Sequence, residues 1–199
     1  LQEGYEADDL IATYAKQAVE AGHDAVVVSA DKDLMQLIRP HVEFYDGMKD
    51  RFFTPDDVHE KFGVYPDKVI DVQALSGDKI DNIPGIPGIG PKTAAELVNL
   101  YGSLQGVLDN AENIKQTKRR ELVMQNKESA ELSLKLVTLK DDVPVEHPLE
   151  DFKCQAPDAA TLINFVNELG FKSILPKLQK WIEERCCALG GAPAAAKKE

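Results

Sequence analysis

The chain has 199 residues, enough for one large domain or two small ones, and a hydrophobic content of 43% that allows a proper core. No apolar run approaches the length of a membrane helix and no signal peptide is visible. Cys154, Cys186 and Cys187 form neither a disulfide framework nor a zinc pattern, which points to a reducing cytoplasm. The net charge of −11 taken alone argues against nucleic acid. Two features answer that argument: acids that bind divalent cations are neutralised when loaded, and basic residues gather locally at Lys115, Lys118, Arg119 and Arg120.

The chain begins with Leu1, not Met, and enters a helical pattern within a few residues, so it reads as a piece of something longer. Residues 1–22 predict an amphipathic helix from the spacing of Leu10, Ile11, Tyr14, Ala15, Ala18 and Val19, with Gly22 as its stop. Glu6 and Asp9, three apart, are expected on one face and Asp8 elsewhere on the turn. Acids in a first turn also favour the helix dipole. Residues 23–30 predict a buried strand around Ala25-Val-Val-Val28, ending at Ser29-Ala-Asp-Lys-Asp33 before a helix over 34–38. Acids at the carboxyl end of such a strand lie where open α/β sheets place their sites. One of Asp31 and Asp33 could cap the helix; two are more than a cap requires.

Two short strands are expected at 42–45 and 52–53, around the turn at Asp46-Gly47. Thr54-Pro-Asp-Asp57 starts a helix that runs to Phe62, and Tyr65-Pro-Asp67 starts another that stops at Gly77. Then comes the stretch around which the rest is organised, Ser76-Gly-Asp-Lys-Ile-Asp-Asn-Ile-Pro-Gly-Ile-Pro-Gly-Ile-Gly-Pro-Lys-Thr93. Its first half offers Asp78 and Asp81. Its second half alternates Gly85, Gly88 and Gly90 with Ile86 and Ile89, then opens a helix at Pro91. The free amides of such a turn and helix start suit a phosphate. Ile83, Ile86 and Ile89 are expected to pin the turn to the body. The reading is a helix–hairpin–helix clamp for a nucleic-acid backbone, with Gly85, Gly88, Ile89, Gly90, Lys92 and Thr93 as its binding residues. The phosphate loop of nucleotide hydrolases needs Gly-Lys-Ser/Thr without interruption; here Pro91 separates Gly90 from Lys92, and no β-branched run precedes Gly85.

Further along, helices are expected at 93–101, 104–108, 119–139, 157–169 and 174–184, with a loop over 141–153. Phe165, Leu169, Phe171 and Trp181 read as core packing rather than a ligand cage. From Cys186 an Ala/Gly/Pro/Lys-rich composition reads as a linker or frayed tail. No repeat of fixed period stands out. One buried strand and one or two short ones are too few for a parallel sheet covered on both faces.

Seven carboxylates stand out: Glu6, Asp8, Asp9, Asp31, Asp33, Asp78 and Asp81. Crowded carboxylates raise one another's pKa unless cations join them. Oxygen-only ligands favour magnesium or manganese over zinc. Two such ions about 4 Å apart activate a water and stabilise the leaving oxygen in phosphodiester cleavage.

The motifs Gly4-Tyr-Glu-Ala-Asp-Asp9, Ser29-Ala-Asp-Lys-Asp33, Gly77-Asp-Lys-Ile-Asp-Asn-Ile-Pro-Gly85 and Gly88-Ile-Gly-Pro-Lys-Thr93 resemble, in this order, the 5′–3′ exonuclease domain of bacterial DNA polymerase I, of the flap-endonuclease superfamily. The resemblance runs from Leu1 to about Glu184. It implies an α/β front part, an incomplete and mostly parallel sheet with helices, followed by an all-helical part that contains the helix–hairpin–helix (a helix–three-turn–helix). The corresponding division is 1–70, 71–185 and a tail over 186–199. It implies a structure-selective, metal-dependent nuclease acting on 5′ flaps and nicked or gapped duplex, with a role in primer removal and repair. The seven acids are then metal-site and catalytic positions for two magnesium or manganese ions, and the hairpin can hold potassium. The partners implied are DNA and polymerase domains in the same parent chain. No membrane enters, and the setting is a monomer in the bacterial cytoplasm, near the nucleoid. In that family a further N-terminal segment precedes the position of Leu1 and supplies sheet strands, aspartates and part of a helical arch. A chain without it has a second reading, a module that binds duplex DNA and does not cut.

Overall fold

The computed structural model describes residues 3–154 and 158–188, and of residues 185–188 only the backbone. Two compact units are present, 1–146 and 147–199. The first holds both the sheet and the hairpin.

Helix α1 (Ala7–Glu20) starts later than its apolar pattern implies. Gly4 takes a positive φ, and Glu6 is extended (φ −89°, ψ 163°) as the residue before the helix. Strand β1 (Ala25–Val28) pairs in parallel with β2 (Val42–Asp46), and β3 (Arg51–Phe53) adds antiparallel to β2, in the order β1-β2-β3. The parallel pair is the expected one, with an antiparallel edge. The expectation of a fully buried β1 does not hold. Val27 is buried, but Val26 and Val28, which alternate with it onto the other face of the strand, are exposed. Together with Leu10, Ile11 and Tyr14 of α1 they line an open apolar groove of about 420 Å³. The helix expected at 34–38 is a single 3-10 turn, Asp33–Leu37.

Helix α2 (Pro55–Phe62) is set by its ends. The Thr54 hydroxyl accepts from the Asp57 amide at 3.2 Å, Pro55 takes the first position, and Gly63 closes in the left-handed region. Helix α3 (Val69–Ser76) runs through the centre, with Val69, Val72, Ala74 and Leu75 all at 1% exposure or less. It packs against α4 (Pro91–Tyr101) and α7 (Lys127–Val137), with α5 (Leu104–Asp109) alongside. One expected long helix over 119–139 is two, α6 (Thr117–Gln125) and α7. Asn126 breaks it at φ −123°, ψ 29°, and its side chain donates to the Leu122 carbonyl at 2.8 Å. This is the local competition with helix bonds that makes Asn a boundary residue. Sheet, α3, α4, α5 and α7 share one buried cluster.

In the second unit, α8 (Ala159–Glu168) is capped by Asp158, which accepts from the amides of Ala160 and Thr161. It meets α9 (Leu175–Ala188) around Ala159 and Ile182, with Leu162, Ile163 and Leu178 packed against them. Phe165, Leu169, Phe171 and Trp181 are exposed, contrary to the expectation of core packing. A two-helix unit has one contact face, which Ala159, Leu162 and Ile163 occupy on α8, and the larger apolar residues lie outside that contact. Of the tail expected from Cys186, the first residues belong to α9 and residues 189–199 lie outside the described ones.

Candidate metal and nucleic-acid site

Five of the seven predicted acids, Glu6, Asp8, Asp31, Asp33 and Asp81, line one pocket of about 380 Å³, with Ile83 and the apolar end of α7 completing its wall. They arrive from three elements. Glu6 and Asp8 come from the entry and first turn of α1, Asp31 and Asp33 from the loop after β1, and Asp81 from the turn after α3. The loop after β1 is locally shaped: the Ser29 hydroxyl accepts from the Asp31 amide and the Asp31 carboxylate from the Asp33 amide, both at 3.0 Å. Asp31 therefore does the capping work, while Asp33 leads into the 3-10 turn.

Electrostatics mark this pocket. Burial first, then the carboxylates of Asp31, Glu6, Asp33 and Asp9, push the Asp8 carboxyl up from its ordinary 3.8. Burial also pushes Asp33 up; a hydrogen bond from Gln73 and the Lys32 charge oppose it, while Asp31 and Asp81 add to it. Like charges facing one another across a cavity raise each other's pKa, and a shared cation relieves that.

Asp9 and Asp78 are placed differently. Sequence spacing paired Glu6 with Asp9 on one helical face, but Glu6 is not helical, so the pairing fails. Instead Asp9 accepts from the Glu6 amide at 3.1 Å and from the Lys140 amide at 2.8 Å. It ties α1 to the segment after α7, as do Thr13, which accepts from the Val143 amide, and Lys16, paired with Asp141. Asp78 accepts from the Ile80 amide at 2.8 Å and from the Lys32 ammonium, and this ion pair holds its carboxyl below the usual range. Neither acid lines the pocket.

The turn between α3 and α4 is tightly determined. Asp78 and Ile83 exchange backbone bonds at 3.0 and 2.7 Å, and the Ile86 amide donates to the Leu75 carbonyl at 2.8 Å. Gly77 and Gly85 pass so close that a Cβ on Gly85 would stand 2.3 Å from the Gly77 nitrogen, at a φ of +57°. Gly85 is buried. Its amide donates to Ser133 Oγ at 2.9 Å and its carbonyl accepts from Ser129 Oγ at 2.7 Å, so α7 grips the turn from behind. Ile86 and Ile89 are buried and Ile83 half-buried, as expected of pinning residues. Of the six residues predicted to meet a backbone, Gly85 and Ile89 face inward, Thr93 is half-buried, and Gly88, Gly90 and Lys92 are exposed. Among the described residues no acceptor takes the amides of Gly88, Gly90, Lys92 and Thr93, as the start of a helix leaves them. The turn is entered from helix α3 and not from a strand, which removes the nucleotide-loop reading. Helix α6 lies beside it, with Leu122 3.1 Å from where a Gly88 Cβ would stand, and Lys118 one helical turn before Leu122. Arg119 pairs with Glu96 of α4 at 2.7 Å.

Residue spacing did not disclose Lys32, Gln36, Gln73, Ser129 and Ser133. Only Gln73 carries a sequence signal, as a lone amide in the otherwise apolar heart of α3. The two serines sit four apart on α7, and nothing local names the Gly85 backbone as their partner.

A small mixed sheet with helices and a helical part whose glycine turn supplies Asp81 and Ile83 to an acid-lined pocket define the class by its fold. Residues 1–63 match the family model of the 5′-3′ exonuclease N-terminal resolvase-like domain, and residues 64–160 that of the 5′-3′ exonuclease C-terminal SAM fold. The chain belongs to the 5′-3′ exonuclease family. It is 47% identical over 197 residues to DNA polymerase I of Rhizobium leguminosarum, covering 99% of this chain and 19% of that protein. It is 44% identical over 177 residues to the 5′-3′ exonuclease of Aquifex aeolicus, covering 89% of this chain and 60% of the relative. The chain thus spans less than two thirds of either relative. Its fold matches the flap endonuclease of bacteriophage T5 in a pseudo-enzyme–product complex with DNA and metal ions, with a TM-score of 0.64 at 22% identity, over 92% of this chain and 60% of that one. Among the described residues no helix is long and apolar enough to cross a membrane.

Proposed function

We propose that this chain is the metal-binding and duplex-gripping part of a structure-specific 5′–3′ exonuclease or flap endonuclease that hydrolyses DNA phosphodiesters near a 5′ end. The observation that carries the reading is the single pocket onto which Glu6, Asp8, Asp31, Asp33 and Asp81 converge, with Asp8 and Asp33 pushed up by burial and by their neighbours. The donor set is oxygen-only, which fits magnesium or manganese. Among the described residues no three acids close on a point tightly enough to enclose an ion. An ion held here keeps several waters, as magnesium prefers. When bound, such ions, two in this reading, supply Lewis-acid charge for activating water and for the departing oxygen. Asp9 and Asp78 act one step back: Asp9 fixes the entry of α1, and Asp78 closes the turn that presents Asp81.

The amides of Gly88, Gly90, Lys92 and Thr93, with the Lys92 ammonium, take the phosphates of the duplex backbone, and Gly85 and Ile89 set the shape of the turn from inside. The same turn is where a potassium ion would sit. Residues 1–70 form the α/β part and 71–185 the duplex-binding helical part, working as a monomer inside a longer polymerase-bearing chain in the bacterial cytoplasm. The substrates are 5′ flaps and nicked or gapped duplex, as in primer removal and repair.

The test is cleavage of a 5′-labelled flap duplex, with magnesium and with chelator, by this chain and by a longer chain that contains it. Magnesium-dependent cutting by either supports the reading. Binding of the duplex by both without cutting by either supports a DNA-binding module instead, and retention on duplex that depends on Lys92 would then be its signature.

A further inference from the structure

Gln73 sits between Val72 and Ala74 on central α3, and it is 5% exposed. Its Nε2 donates to Asp33 Oδ1 at 2.5 Å. Its Oε1 is the only buried side-chain oxygen or nitrogen among the described residues that has no hydrogen-bond partner. Gln36 makes an informative contrast. It holds the backbone of the same aspartate: its Nε2 donates to the Asp33 and Val137 carbonyls at 2.9 and 3.1 Å, and its Oε1 accepts from the Leu139 amide at 3.3 Å. The Gln36 amide is therefore satisfied at both ends and staples the 3-10 turn to the end of α7. Gln73 is satisfied only where it meets Asp33. An unpaired buried oxygen lowers stability, and an apolar side chain of the same length would avoid that cost. A staple does not explain Gln73; the Asp33 carboxylate does.

We infer that Gln73 is a positioning residue for Asp33: its amide occupies Oδ1, fixes the rotation of the carboxylate, and leaves Oδ2 for a divalent ion. An amide N–H can only donate, so this contact favours the charged carboxylate that a cation requires. The role is that of the outer partners that orient metal-binding side chains elsewhere. It rests on the reading of the acid pocket as a metal site.

The experiment is calorimetric titration of the full chain with manganese chloride, for the wild type, Gln73→Met, Asp33→Asn and the double variant, alongside thermal unfolding in chelator. Gln73→Met is expected to weaken manganese binding about ten-fold. Its unfolding temperature in chelator should be unchanged or higher, whereas Gln36→Met, which breaks a satisfied staple, lowers it. In the Asp33→Asn background Gln73→Met should add nothing, because Gln73 acts through Asp33. Gln73→Leu repeats the measurement should the methionine variant not fold. Wild-type manganese affinity in the Gln73 variants, or effects that multiply in the double variant, overturns the inference and leaves the metal site standing. A wild-type chain that takes up no manganese removes the metal site and the inference together.

Discussion

The glycine turn and the acid pocket meet at Asp81 and Ile83, which the turn supplies to the pocket wall, yet they are physically opposite. In the turn the buried groups of Gly85 have their partners. Gly77 and Gly85 remove the side chains that would clash, Ser129 and Ser133 take both polar groups of Gly85, and Ile86 and Ile89 are buried beneath. In the pocket burial pushes Asp8 and Asp33 up first, and neighbours of their own sign add to it. The difference shows where the chain is stable and where it is poised. Under the proposed function, a turn that presents amides to a phosphate is fixed in advance, and a site that takes cations is left electrostatically unsatisfied.

The largest effect should come from filling the turn. Gly85→Ala places a Cβ against the Gly77 backbone at a positive φ, and strain with overpacking should cost about 3 kcal/mol in chemical denaturation. A loss under about 1 kcal/mol would show that the turn is looser than its contacts suggest. Ser133→Ala comes next. It leaves the buried Gly85 amide without an acceptor and should cost about 1–3 kcal/mol by the same measurement.

Asp78→Asn sharpens the comparison through pH. Its folded pKa is depressed by Lys32 and the Ile80 amide. The stability it contributes is present above the ordinary 3.8 and is lost as pH falls through the lower folded value. The variant should lose about 1–2 kcal/mol at neutral pH and converge on the wild type in acid, followed by thermal melts across pH. Asp8→Asn carries the opposite sign. The folded pKa of Asp8 is raised, so its charged form destabilises the fold as pH rises from 3.8 through the folded value. In chelator at neutral pH the variant should therefore melt slightly higher than wild type, by under about 1 kcal/mol for so accessible a group, and gain less from added magnesium. A lower melting point in chelator would mean that Asp8 is not under repulsion. The smallest change is Lys92→Ala, expected to weaken duplex binding across sequences alike and to lower the salt dependence of log K by about one phosphate's worth, read by anisotropy titrations at several salt concentrations.

Much of this organisation was legible in the chain. Alternating Gly and Ile before Pro91 specify a turn with buried isoleucines and a helix start, because each glycine and the proline have a local conformational reason to be where they are. The three acid motifs named every carboxylate of the pocket. Local pattern failed where a longer contact decided. Val26 and Val28 read as buried because β-branched runs usually are, but they share the face of β1 opposite Val27, which is left exposed among the described residues. Residues 119–139 read as one helix because apolar spacing is blind to the backbone at Asn126.

By itself, then, the sequence determined the order of the main elements, the glycine turn, and the set of acids near the site, since propensity, capping and turn chemistry act within a few residues. Only the tertiary structure decided which acids face one another. Asp9 lies beside Asp8 in sequence but is drawn off by the Lys140 amide 131 residues away, and Asp78 is drawn off by Lys32, 46 residues away. Gln73 reaches Asp33 across 40 residues for the same reason: a side chain's partner is set by which elements pack together, and that contact has no period along the chain.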